Sequence, residues 1–148
     1  MNSLLKSTLG ILRLCAIAAA LGSPAAHAIT PAEQQNLQKL LECRTGVNYK
    51  LLDATIAREK ISRTGGLHTL KAPIRIFGFP TQKISLFMDS GENSYQAYME
   101  GHSMQDLIRA AKLTKDSGFY GRRAPGGFLD IETYEGLSFR CSINLEGE

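Results

Sequence analysis

Cys43 and Cys141 constrain this chain more than any other feature. They stand near its opposite ends, one after a short amphipathic stretch and the other inside the last alternating segment. A disulfide between them ties the first ordered element to the last, so the fold must bring its two ends together. A third cysteine, Cys15, would make the pairing ambiguous unless it is removed.

The surroundings of Cys15 predict that removal. Residues 1–28 carry Lys6 and Arg13, no Asp or Glu, and an apolar run from Leu14 to Leu21. Gly22, Ser23 and Pro24 break the run, and Ala26-His27-Ala28 presents small residues around one variable position. This is the pattern of a secretory signal peptide, with cleavage expected after Ala28. The run is well short of the ~20 residues that cross a bilayer, so no stable membrane anchor is expected. Arg13 stands where lipoprotein processing at Cys15 would need a small or apolar residue. The expected product is one exported, periplasmic domain covering residues 29–148.

Export changes the charge. Losing Lys6 and Arg13 from 17 Lys and Arg leaves 15 against 14 Asp and Glu, or +1 rather than +3. The longest basic run is Arg122-Arg123, which is no footprint for nucleic acid. At 148 residues, 43% hydrophobic and 21% charged, the chain is too short for a large multi-domain enzyme and too apolar to be disordered throughout. Two cysteines remain, far apart and without a C-x-x-C, with only His68 and His102 as further soft ligands. A structural disulfide is expected, with no metal and no cofactor.

Periodicity sets the elements. Thr30-Pro31 with Glu33 predicts a capped helix whose inner face is Leu37, Leu40 and Leu41, ending at Thr45-Gly46. A second helix is expected over Asn48–Ser62, burying Leu51, Leu52 and Ile56. The period then falls to two. Strands are expected over 73–79, 83–89 and 94–100, with turns at Pro80-Thr81 and over 89–93. Ser103 predicts the cap of a third helix reaching Leu113, and residues 114–127 read as a loop rich in Gly and Arg. A hairpin of 128–134 and 137–145 closes the chain, with Phe139, Cys141 and Ile143 on its apolar side. The expected order is ααβββαββ. That is an α+β domain, with two N-terminal helices and one later helix on one face of an antiparallel sheet of about five strands.

Catalytic signatures are thin. The chain has no G-x-S-x-G, H-E-x-x-H, phosphate-binding loop or dinucleotide fingerprint. His102, Ser103 and Glu100 name a nucleophilic set, but neighbours at a strand–helix junction point apart, and Ser103 serves better as a cap. Asp130 and Glu132 share a strand face at a spacing compatible with a carboxylate pair, yet no Trp is present to line a sugar cleft.

The face that the helices leave uncovered carries more information. Inward Ile74, Ile84, Met88, Met99, Ile131 and Phe139 put Phe77, Phe79, Phe87, Tyr98 and Tyr134 on the other side, among Arg75, Lys83, Glu100, Asp130, Glu132 and Arg140. Aromatic and Arg anchors of this kind favour a partner surface, although cross-strand pairing also gathers rings and charges. Tyr120, Arg122 and Arg123 in the Gly-rich segment form a second adhesive group, while its aromatics could equally pack beneath a long connector.

This layout is similar to that of small exported inhibitor and immunity domains, in which a helix pair backs a sheet whose free face grips an enzyme. The similarity lies in layout and in no motif. It implies a non-enzymatic protein that binds another protein, such as an enzyme of the cell envelope. Phe77, Phe87, Tyr98, Tyr134, Arg75, Tyr120, Arg122 and Arg123 are the expected contacts. The alternatives are a small-ligand or cell-wall-binding module, with Arg122 and Arg123 on an anionic group, and a small hydrolase using Asp130, Glu132 or His102.

Overall fold

The computed structural model describes residues 28–144. The predicted leader, but for Ala28, and Leu145 of the last predicted strand lie outside them. The element order is α1 (Pro31–Leu41), α2 (Tyr49–Glu59), β1 (His68–Ile76), β2 (Phe79–Met88), β3 (Glu92–Tyr98), α3 (Met104–Ala111), β4 (Thr114–Asp116), β5 (Phe119–Ala124), β6 (Gly127–Glu132) and β7 (Ser138–Asn144). The α+β class is as expected. The sheet has seven antiparallel strands rather than five, in the order β1-β2-β3-β7-β6-β5-β4.

The two additional strands come from the segment read as a loop. Ser117 and Gly118 both take positive φ, 45° and 98°, and fold β4 back on β5. Pro125-Gly126 then joins β5 to β6, with Ala124 opposite Gly127. Composition misled here because Gly121 looks like a chain breaker. In the sheet it sits under the Phe128 ring, where an added Cβ would come within 2.8 Å of the ring carbons. The glycine is a packing requirement of a strand.

The helices start as their caps demand. Thr30 and Glu33 form a reciprocal capping box around the first turn of α1. Asn48 accepts from the Leu51 amide, and Ser103 accepts from the Asp106 amide. α2 and α3 stop earlier than predicted, because Lys60 and Lys112 adopt left-handed conformations and end them. α1 lies across β1, β3 and β7, α2 packs chiefly on α1, and α3 packs beside β6. The three helices therefore do not form one uniform layer on the sheet.

One buried cluster joins them. Leu37, Leu40 and Leu41 of α1, Leu52 and Ile56 of α2 and Leu107 and Ala111 of α3 meet Ile84, Leu86, Tyr95, Leu129 and Phe139 of the sheet. At its centre Cys43 is bonded to Cys141, with Cα atoms 5.3 Å apart. Cys141 is flanked by Tyr95 of β3 and Leu129 of β6, so the bond reaches the middle strand of the sheet. The Cys43 carbonyl also accepts from the Gly126 amide at 2.9 Å. A Cβ at residue 126 would lie 2.6 Å from the Arg44 carbonyl oxygen, so only glycine lets the β5–β6 turn approach so closely.

The first hairpin turns earlier than predicted. Phe77 and Gly78 carry φ of 49° and 88° and make the turn, leaving Pro80 inside β2 opposite Arg75. Buried Glu42 accepts the Phe77 amide at 2.7 Å, fixing this turn to the end of α1. Phe77 therefore points at the core, its ring centroid 4.8 Å from that of Phe139. The expectation that it lies on the free face is corrected. β1 bulges by three residues between Thr69 and Ile74. Pro73 falls in the bulge, so this edge offers no continuous ladder to another chain.

Closing the Cys43–Cys141 loop lowers the entropy of the unfolded chain by an amount equivalent to about 4–5 kcal/mol. Urea unfolding with and without reductant measures this, and reduction should move the midpoint far down. Equal midpoints would show that the bond contributes nothing to stability.

Candidate functional site

The helix-free face of the sheet is built by the alternate positions of each strand. Register places Lys83, Ser85 and Phe87 of β2 beside Ser94, Gln96 and Tyr98 of β3. These run on to Ser138, Arg140 and Ser142 of β7, then to Phe128, Asp130 and Glu132 of β6, and finally to Phe119, Gly121 and Arg123 of β5. The middle of this surface is polar and the aromatics lie towards its two ends.

Arg140 organises the middle. Its Nε and Nη2 donate to both oxygens of Asp130 at 2.9 and 2.5 Å, and its Nη1 donates to Glu132 at 2.8 Å. This is a forked pair with a third member, the geometry in which guanidinium–carboxylate contacts are strongest. The bonds it donates to Asp130, with the carboxylate's charge beside them, hold Arg140 above its ordinary pKa. The Tyr134 and Thr133 amides donate to the other oxygen of Glu132, at 2.9 and 2.8 Å, and hold its carboxyl below the usual 4.5. A carboxylate held ionised in this way is a poor general acid. His102 stands elsewhere, its ring 4.6 Å from that of Phe79 and tilted against it. The hydrolase set is thus divided between a saturated ion cluster and an imidazole packed at a tilt against Phe79.

The candidate contact residues are dispersed. Phe87 (39% exposed) and Phe119 (41% exposed) are the accessible rings of the sheet face, and Phe119 meets Phe128 edge-on at 6.0 Å. Tyr98 lies on the face but is only 6% exposed, its hydroxyl bonded to Gln96 and Glu135. Burial, then the Glu135 hydrogen bond, raise its pKa. Arg75 donates to the Gly78 carbonyl at 2.7 Å and braces its own hairpin. Arg122 points to the helix side and donates to the Ala111 carbonyl at 2.8 Å, while Arg123 faces the other way. As neighbours on a strand they cannot close on one anion together. Tyr120 shares the side of Arg122 and packs against the core.

Residue reasoning missed Phe119 and Phe128 as a pair, because it left β5 unassigned. The signal was present in Phe119, Gly121 and Arg123 alternating with Tyr120, Arg122 and Ala124.

Two clefts flank the β6–β7 turn. One, of about 520 Å³, is lined by Leu67, Lys83, Tyr98, Glu100, His102 and Glu135 among others. The second, also about 520 Å³, is lined by Met104, Phe119, Phe128, Asp130, Glu132 and Arg140 among others. Lys83 and Glu100 form an ion pair on the wall of the first. Among the described residues, no group of three or more His, Cys, Asp or Glu is placed to hold a metal ion, and no helix is long and apolar enough to cross a membrane.

Replacing Arg140 with Met leaves the buried Asp130 uncompensated and should cost about 2–3 kcal/mol, reduced from the cost of a fully buried pair by the partial exposure of Arg140. Glu132 adds a pH dependence. Its folded pKa is depressed, so its contribution is complete above the unfolded value and fades as pH falls through the folded one. The stability gap between the parent and Glu132→Gln should therefore be widest near neutrality, shrink as pH falls below the ordinary carboxylate value and close only below the depressed folded one, as read in urea titrations. A gap independent of pH would contradict the assigned bonds.

No protein-family model, no curated protein and no solved structure matches this chain.

Proposed function

We propose that this chain is an exported, periplasmic, non-enzymatic protein of the inhibitor or immunity type, which binds another protein through the uncovered sheet face. One observation carries the reading. A seven-stranded sheet is packed with helices on one side only, and its other side sets exposed Phe87 and Phe119 around a fixed polar centre. A sheet face that served only to meet solvent would not need large accessible rings at both ends, whereas contact surfaces use such rings as anchors. The Arg140 cluster favours binding over catalysis. Its side chains are already ordered, so little conformational entropy is lost when a partner docks.

The cell-wall or small-ligand alternative rested on Arg122 and Arg123 acting together, and their opposite orientations weaken it. The hydrolase alternative is weakened because Glu132 is held ionised and His102 lines a different cleft from Asp130 and Glu132.

The test is affinity capture from a periplasmic extract, followed by measurement with the purified partner. Phe87→Asp and Phe119→Asp should each weaken binding about tenfold or more while unfolding stays near that of the parent. Binding indifferent to both substitutions would remove the sheet face from the interface.

A further inference from the structure

We infer that the β6–β7 turn, with Tyr134 at its crest and a cleft on each side, is a docking element for a basic polypeptide segment of the partner. The inference rests on the protein-binding reading above and names the partner's chemistry.

Tyr134 is 90% exposed, the most exposed of the large hydrophobic side chains among the described residues. An exposed tyrosine on a loose loop would mean little, but this turn is fastened at several points. Glu132 accepts both the Thr133 and Tyr134 amides, and Glu135 accepts from the Tyr98 hydroxyl at 3.2 Å. The Met99 amide donates to the Leu137 carbonyl at 2.8 Å just beyond it. The ring is thus projected from a backbone that is already ordered, and a rigid aromatic with two side-chain torsions gives contact area at low entropic cost.

Charge selects the occupant. The two clefts together are lined by four carboxylates and two permanent cations. Lys83 pairs with Glu100 and Arg140 with Asp130 and Glu132, which leaves a net excess of two acids, with Glu135 at the turn outside any ion pair among the described residues. His102 also lines the first cleft, with its ring against Phe79. The chain without its expected leader is formally +1, so this surplus of acid is a local departure from the protein's balance. Aromatic rings stand beside it, Tyr98 on one side and Phe119 with Phe128 on the other. Carboxylates beside aromatic faces suit guanidinium and ammonium groups, through ion pairing and cation–π contact. A ridge between two such clefts can seat basic side chains on both flanks of Tyr134. A peptide fits this arrangement better than a small ion, because a small ion can occupy only one of the two clefts at a time.

Amide and aromatic NMR spectra of the oxidised protein, titrated with a short peptide of alternating Arg and Ala, test this. Shifts should concentrate at residues 132–137 and on the rings of Phe119 and Phe128, and should fade at about 0.15 M salt. Tyr134→Ala should weaken the peptide about fivefold or more, and Glu135→Gln about threefold. Tyr134 makes little buried contact, so the Ala variant should keep the parent spectrum elsewhere and report on binding rather than folding. Three results would overturn the inference: no response centred on the turn, an equal response to the matching Glu–Ala peptide, or spermidine reproducing the peptide's effect. If the turn fails while Phe87→Asp and Phe119→Asp still weaken partner binding, the sheet-face reading stands and the basic segment alone is discarded.

Discussion

Everything in this fold is arranged around the Cys43–Cys141 bond. It joins the residue that follows α1 to the middle strand of the sheet, and both cysteines are buried. The same short stretch holds two further ties. Glu42 fixes the β1–β2 turn, and the Cys43 carbonyl fixes the β5–β6 turn through Gly126. Three distant parts of the chain are therefore registered against one corner of the helical layer. With the apolar side of the sheet occupied in this way, the opposite side is left without helices.

That opposite side is ordered by polar chemistry instead of packing. Arg140 bridges two strands by clamping Asp130 and Glu132, and Thr81 donates its hydroxyl proton to the Tyr98 carbonyl at 2.6 Å. A buried charge costs free energy unless it is fully paired, and here each carboxylate oxygen of the cluster has a donor. The result is a firm polar centre with accessible rings at its ends.

Much of this was legible in the residues. The capping box at Thr30, the cap at Ser103, the inward side of β7 and the disulfide all follow from local patterns with strong physical causes. The hairpins were harder. The β1–β2 turn falls at Phe77-Gly78, where phenylalanine accepts a positive φ because its ring gains Phe139 and its amide gains Glu42. Both rewards are tertiary and invisible in a window of sequence. Gly121 misled in the same manner, since its need for glycine comes from Phe128 seven residues on. The free face was foreseen in outline, but its membership changed. Phe77 and Tyr98 turn out to be held by the fold, Arg122 caps a helix, and Phe119 and Phe128 enter the site once β5 is recognised.

The fold leaves one face of the sheet open, with accessible aromatic rings on it and at the adjoining β6–β7 turn. Solvent paramagnetic relaxation of aromatic protons, using a neutral gadolinium chelate, tests this most directly. Phe87, Phe119 and Tyr134 should relax strongly, while Tyr95, Phe77 and Phe139 remain protected. Protection of Phe87 and Phe119 in the isolated protein would contradict the account, because it would mean that another segment or another copy already covers the face.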